Sequence, residues 1–221
     1  YTRKKKIVFL ASPHKRRNWI DYIEKKQSMY FKKEFKENKL KENEKIVAFM
    51  LCWMGPNNLT RTPNMYPKLF DETLHILKEV CSDYTIFVKP HPTSINSLSE
   101  MKNIKTIIKK HQDINIVLTK LHPIILSYRA RFFIANTFST SFSSARISNV
   151  PTIEYTDYSK KILKTTKFGS MRPDLVSYFI NHDSQKLKSI INNIKNRKTR
   201  NIMIDDSPMP KELLKIINDR L

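Results

Sequence analysis

Residues 132–155 read FFIANTFSTSFSSARISNVPTIEY. An apolar run at 132–136 is followed by a Ser- and Thr-rich segment, a short amphipathic stretch at 141–148 and a β-branched run at 152–155. Parallel strands need a crossover, usually a helix, to bring the chain back to the same edge of the sheet. The stretch therefore predicts a strand, a helix and a second strand parallel to the first.

The same alternation continues in both directions along the chain. Short apolar runs predict strands, and amphipathic stretches between them predict helices. We expect one doubly wound parallel α/β domain, Rossmann-like, over residues 46–221. Residues 32–45 are almost wholly charged or polar, so residues 1–45 are predicted to be a linker or an edge element from a preceding domain. The further predicted strands are 7–11, 46–53, 85–89 and 114–118, and the further helices are 18–36, 66–80, 98–110, 123–128, 184–195 and 210–221.

The composition excludes several classes of protein. The two glycines, Gly55 and Gly169, are far apart, which excludes the glycine-rich phosphate loops. Cys52 and Cys81 form no CxxC pair, so a reduced, cytoplasmic protein is expected. The histidines share no metal-ligand spacing, and we predict neither a metal nor a cofactor. No apolar run approaches the roughly 18 residues of a transmembrane helix, and the start Tyr-Thr-Arg-Lys, without Met, indicates part of a longer protein.

The chain is strongly basic, with 41 Lys and Arg against 20 Asp and Glu, a net charge of +21. Such a charge attracts polyanions, which include nucleic acids, anionic membrane surfaces and phosphorylated substrates. Proteins that read base edges favour Arg, whereas most of the basic residues here are Lys. We therefore expect nucleic acid not to be the main partner.

A histidine follows the strand predicted at 85–89, in the sequence Lys89-Pro90-His91-Pro92. Ligands of open parallel sheets collect at the carboxyl ends of the strands. The two prolines fix the local path, so the imidazole is held at such an end, where it can donate to a phosphate oxygen with Lys89 as a nearby positive charge. The alternative is a turn that happens to contain His.

Hydroxyl groups follow the strand at 132–136. Ser139, Thr140 and Ser141 precede the predicted helix, and its free N–H groups with these hydroxyls would form a phosphate cradle facing His91. A plain helix N-cap explains one of these residues but not all of them. Glu154, near the end of the last predicted strand, is a candidate for contact with a ribose, and residues 53–58 are candidates for lining the same cleft.

These two motifs together resemble a known family. The Lys89-Pro90-His91-Pro92 string followed by the unit at 132–155 is similar to the carboxyl-terminal domain of GT-B capsule and surface-polysaccharide glycosyltransferases, in particular bacterial sialyltransferases and Kdo transferases with HP and S/T motifs. The resemblance covers residues 46–160. It implies that His91 and the Ser/Thr residues hold the phosphate of a CMP-sugar, and that the catalytic base lies in the amino-terminal domain.

The string Lys-Pro-His-Pro also occurs in CDP-glycerol glycerophosphotransferases, in which Asp-Tyr-Ser-Ser fills the second motif. Here that place begins with Asn136, which favours the sugar transferases. The resemblance implies a metal-independent transferase using CMP-sialic acid or CMP-Kdo to build bacterial capsule or lipopolysaccharide. Its partners would be a nucleotide-sugar donor, a glycan or glycolipid acceptor, its own amino-terminal domain and the inner face of the membrane. A CDP-glycerol-type transferase and a non-catalytic nucleic-acid-binding domain remain the alternatives.

Overall fold

A computed structural model describes residues 17–52 and 65–196. These residues form a six-stranded sheet in the order β3-β2-β1-β4-β5-β6, and each neighbouring pair of strands is parallel. This is the strand order of the doubly wound Rossmann fold, so the predicted fold class is confirmed. The strands are β1 (Ile46–Met50), β2 (Thr85–Lys89), β3 (Ile116–Leu118), β4 (Ala130–Ala135), β5 (Thr152–Thr156) and β6 (Tyr178–Asn181).

Helices connect the strands and cover both faces of the sheet. None of the helices in the described part of the chain is long and apolar enough to cross a bilayer. In chain order the helices are α1 (Arg17–Glu37), α2 (Met65–Val80), α3 (Pro92–Ile95), α4 (Leu98–Lys109), α5 (Pro123–Ser127), α6 (Phe142–Ile147), α7 (Lys160–Thr165) and α8 (Ser184–Ile194).

The core has two layers because side chains alternate across each strand. On one face, Phe49 packs edge-on against Phe70 of α2 with ring centroids 5.2 Å apart, and α4 and α8 complete this layer. On the other face, the ring centroids of Phe87 and of Phe35 in α1 are 6.4 Å apart, and α5 and α6 complete the layer. Helix α1 thus contributes to the buried core of the same sheet. All five residues of β1 are buried, as expected for a central strand of a parallel sheet.

The agreement with the sequence differs from element to element. The strand predicted at 85–89 is observed with those bounds, while β5 extends one residue beyond its predicted end. Strand β6 and helix α7 were not expected. The predicted strand at 7–11 and the predicted helix at 210–221 lie outside the described residues, and the division of the chain after residue 45 stays a prediction.

The order of the strands defines a crevice. Strands β1 and β4 are neighbours, but β1 leads into α2 on one face of the sheet and β4 leads into α6 on the other. Where successive connections leave to opposite faces, the loops separate and open a space at the carboxyl ends of the strands. At the base of this space, the segments that follow β1 and β4 are in contact: the Cys52 thiol lies 3.9 Å from the Phe138 carbonyl oxygen.

Candidate functional site

His91 lies at the carboxyl end of β2 and is exposed to solvent. It is the N-cap of α3, and its Nδ1 accepts a hydrogen bond from the Thr93 backbone N–H at 3.2 Å. A neutral imidazole has one proton, so with Nδ1 as the acceptor the proton is on Nε2. Partial desolvation of the ring lowers the pKa of His91 below its usual 6.5; Glu100 opposes this shift, and the charge of Lys89 adds to it. With a pKa below 6.5 the ring is mainly neutral at pH 7. The site therefore has a neutral Nε2–H donor.

Lys89 is the last residue of β2 and lies beside the same site. Its Nζ is 3.5 Å from the carbonyl of Lys120, which follows β3. Burial lowers the pKa of Lys89, and Glu34 on α1 opposes this effect. The ammonium group lies toward the face of the sheet that α1 covers, where it would be a nearby charge for a ligand at His91.

The hydroxyl residues after β4 form a turn that leads into α6. The Ser139 hydroxyl accepts a hydrogen bond from the Ser141 backbone N–H at 3.3 Å, and Thr140 is exposed. Ser141 is the N-cap residue, but its side chain makes no cap hydrogen bond. Because α6 has only six residues, its dipole is short, and the hydroxyl groups are the stronger candidates for binding an anion.

His91 and the Ser139–Ser141 turn are separated by β1. The sequence predicted a phosphate cradle facing His91, but β2 and β4, which carry the two groups, lie on opposite sides of β1 in the sheet. Neighbouring strands are about 4.8 Å apart, so the two strand ends are about 10 Å apart. A ligand group that contacts both would lie above the carboxyl end of β1. Residues 53–58, which follow β1, are outside the described residues.

Asn136 and Thr137, between β4 and this turn, are buried and face inward. The Asn136 amide donates to the Thr73 hydroxyl at 2.8 Å and to the Tyr155 carbonyl at 3.1 Å, and its Oδ1 is buried without a partner among the described residues. The Thr137 hydroxyl contacts the Tyr158 hydroxyl at 2.8 Å. These contacts hold the loop on the sheet, and both side chains are shielded from solvent.

The prediction that Glu154 contacts a ribose does not agree with the structure. Glu154 lies within β5, pairs with Ala135 of β4 and is completely buried. Its carboxylate accepts hydrogen bonds from Tyr158 at 2.5 Å and from Ser170. Burial raises the pKa of Tyr158, with the nearby Glu154 as the next cause, so this phenol stays protonated and can donate. Glu154 therefore anchors the loops after β5.

A second polar cluster, which the sequence did not predict, lies at the ends of β5 and β6. The Tyr155 hydroxyl donates to Glu72 of α2, and the other oxygen of Glu72 is 3.4 Å from Nε2 of His182. His182 has a φ of 49°, a conformation that is uncommon outside glycine. No local pattern could reveal this cluster, because its members come from three separate elements. Within residues 17–52 and 65–196 no group of His, Cys, Asp and Glu side chains is arranged to hold a metal.

No protein-family model and no curated protein sequence matches this chain. Two solved structures of the wall teichoic acid polymerase TagF are similar to it. One, a His-to-Asn variant soaked with CDPG, has 13% identity and a TM-score of 0.49 over 79% of this chain and 38% of that one. The other, a His-to-Ala variant, has 14% identity and a TM-score of 0.47 over 87% of this chain and 47% of that one. The chain therefore spans less than half of either polymerase. At these scores the matches carry no conclusion about activity.

Proposed function

We propose that this chain binds the nucleotide-activated donor of a GT-B glycosyltransferase, with the phosphate of the donor between His91 and the Ser139–Ser141 turn. The observation that carries the proposal is the imidazole of His91, whose Nε2–H is directed to donate by the hydrogen bond that Nδ1 accepts from Thr93. It stands at a strand end next to the crevice where doubly wound sheets bind ligands.

In this mechanism the donor phosphate lies above the carboxyl end of β1. His91 donates to it from one side and the hydroxyls of Ser139, Thr140 and Ser141 from the other, with Lys89 as a nearby cation. When the bond to the transferred group breaks, negative charge builds on the nucleotide that leaves. Donors that are already in place stabilise that charge without reorganising. The proposal requires neither a metal nor a cofactor, and the general base and most of the residues that bind the acceptor belong to the amino-terminal domain.

Two donor classes fit this site. The first is CMP-sialic acid or CMP-Kdo, for synthesis of capsule or lipopolysaccharide, and the second is CDP-glycerol. Asn136, which stands where the CDP-glycerol enzymes have Asp, is completely buried and held by Thr73 and Tyr155. Because this side chain is held in the protein interior, it favours neither class, and the experiment must compare both.

The net charge of +21 is compatible with an anionic glycolipid acceptor and with binding at the inner face of the membrane. The same charge would also support a non-catalytic nucleic-acid-binding protein. A salt titration with a DNA or RNA duplex separates the two, because binding through lysines weakens steeply as salt is raised. Binding of a duplex that is as tight as nucleotide binding and insensitive to sequence would favour the second function.

Calorimetry of the purified protein with CMP, CDP, UMP and ADP tests the proposal. We expect cytidine nucleotides to bind with modest affinity and His91→Ala to weaken them. His75→Ala is the matched control, because His75 is an exposed histidine on α2 that pairs with Glu79 at 3.2 Å, outside the crevice. Binding of none of the four nucleotides, or equal affinity in the His91→Ala and wild-type proteins, would contradict the proposal.

Activity of the full-length protein then separates the donors. Turnover of CMP-sialic acid or CMP-Kdo supports the first class, and turnover of CDP-glycerol supports the second. Loss of one preorganised donor to a developing charge lowers turnover about 10²–10³-fold, which is the effect expected for His91→Ala. Ser139→Ala and Thr140→Ala should have smaller effects, since the neighbouring hydroxyl remains in each.

A further inference from the structure

A cleft of about 950 Å³ lies between α1 and the connection from β3 to α5. Its apolar floor includes Ile23 and Ile125, both almost completely buried. Trp19, Tyr22 and Tyr30 of α1 stand along one side. Trp19 and Tyr22 are stacked with ring centroids 5.9 Å apart, and Tyr22 and Tyr30 are 49% and 39% exposed. The volume is in the upper range of small-ligand sites, so it can hold a ligand of more than one ring.

The charges in the cleft are balanced, unlike those of the whole chain. Lys33 and Lys120 line it together with Glu34 and Glu37, and Lys33 forms an ion pair with Glu37 at 3.9 Å. Asn38 adds an amide, which donates to the Glu34 carbonyl at 2.8 Å. A polyanion would meet both glutamates here, so the cleft is not an extension of the basic surface. Its lining suits a neutral ligand with many hydrogen-bonding groups.

We propose that this cleft binds a neutral oligosaccharide. Sugar rings have flat faces of C–H groups, which pack on aromatic rings such as Tyr22 and Tyr30. They also have hydroxyls at their edges, and these can donate to the carboxylates of Glu34 and Glu37 and accept from Lys120. A concave site with aromatic walls and a few polar groups can meet both requirements in one ligand.

The position of the cleft connects it to the donor site. Strand β3 pairs with β2, with Val88 opposite Leu118, and Leu118 lines the cleft. Lys120, also in the lining, has its carbonyl 3.5 Å from the ammonium group of Lys89. A saccharide in the cleft would therefore end beside the residues proposed to hold the donor. Its role as the acceptor rests on the proposed function, whereas its binding does not.

Titration of the purified protein with neutral tetrasaccharides, in the absence of nucleotide, tests the inference. Cellotetraose, maltotetraose and chitotetraose are the probes, and a heparin tetrasaccharide is the anionic comparison. The chain has two tryptophans, so Trp53→Phe leaves Trp19, in the cleft wall, as the only one. We expect a saturable change in its fluorescence with at least one neutral probe and calorimetric binding of the same probe to the wild-type protein.

Substitution of the aromatic residues adds a second measurement. Tyr30→Ala should weaken binding roughly threefold to tenfold, the effect of losing one aromatic contact. Tyr22→Ala should do the same, and it is followed by calorimetry because the loss of its ring also changes the emission of Trp19. Both residues are exposed, so both variants should fold, as circular dichroism will show. Phe168→Ala is the matched control, since Phe168 is 70% exposed and outside the cleft.

Binding of a neutral tetrasaccharide that both tyrosine variants weaken and Phe168→Ala leaves unchanged supports the inference. If no neutral probe binds, if only the heparin fragment binds, or if the tyrosine variants bind as the wild type does, the inference is wrong. Binding of the apolar dye ANS without any saccharide would also overturn it and indicate a surface for docking. Nucleotide binding without saccharide binding overturns this inference alone, whereas saccharide without nucleotide binding contradicts the proposed function alone.

Discussion

Glu154 provides a test that separates a structural residue from a ligand-binding one. Its completely buried carboxylate accepts hydrogen bonds from the hydroxyls of Tyr158 and Ser170. Glu154→Gln keeps the shape of the side chain but replaces one acceptor oxygen by an amide that cannot accept. If Glu154 anchors the loops after β5, the variant should unfold more easily and bind nucleotide as before. If it contacts a ribose, nucleotide affinity should fall instead.

The expected size follows from the bond that is lost. A hydrogen bond to a charged group contributes about 1.5–3 kcal/mol to stability, and Glu154→Gln removes one acceptor of two, so we expect the free energy of unfolding to fall by that amount. Tyr158→Phe removes a donor to the same carboxylate. Because Tyr158 and Glu154 are in direct contact, the double variant should be non-additive by about 0.5–3 kcal/mol.

Urea unfolding followed by circular dichroism measures both quantities, and calorimetry with CMP measures nucleotide affinity. Glu42→Gln is the matched control, because Glu42 is an exposed glutamate in the turn before β1. It should leave the unfolding midpoint close to that of the wild type. Unchanged stability of Glu154→Gln, together with weaker binding of CMP, would refute the structural role.

Three further predictions concern single side chains. The NMR titration midpoint of His91 should lie below 6.5 and rise when CMP is added, because a bound phosphate favours the charged ring. By linkage, CMP should bind more tightly as the pH falls through the titration range of His91. A midpoint that CMP does not change would exclude the contact. Burial raises the pKa of the Cys81 thiol from 9.0 to about 12, so the folded chain keeps a proton that the unfolded chain has lost, and stability should fall as pH rises between these values. Urea midpoints measured across that range should fall less steeply in Cys81→Ala, and equal slopes would contradict the assignment. Phe49→Ala should lower the free energy of unfolding, measured by urea denaturation, by about 3–5 kcal/mol, because it removes a completely buried ring packed on Phe70. A loss below about 1 kcal/mol would show that the surrounding core collapses into the space left by the ring.

The fold could be predicted because its signal is local. Strand β2 is a continuous apolar run that ends in Lys-Pro, and both its bounds follow from these residues. Strand β6 was missed because it has four residues of which only Ile180 is buried, so the apolar pattern is too short to recognise. Helix α7 buries none of its residues and therefore lacks an apolar stripe.

The candidate site could be predicted only in part, for a related reason. The position of His91 at a strand end could be predicted, because strand β2 ends two residues before it in the sequence. Glu154 already lay within the predicted strand, but the strand pattern does not show what covers its side chain, and in the structure Tyr158 and Ser170 bury the carboxylate. Its partners, Tyr158 and Ser170, lie in loops whose approach depends on the tertiary fold. For the same reason the sequence could not show that β1 lies between β2 and β4, because the order of strands depends on crossovers between distant segments.

The central position of β1 has a consequence for how the chain folds during synthesis. Ile46 pairs with Thr85 on one side, but on the other side it pairs with Ala130, which is made much later. Until β4 has left the ribosome, one edge of β1 offers unpaired N–H and C=O groups from a fully apolar strand, which is a template for aggregation. Sheets built from such distant pairs also fold slowly, because loop closure precedes the contacts that stabilise it. Nascent chains stalled before Ala130 should therefore bind chaperones most strongly, and release should follow completion of β4.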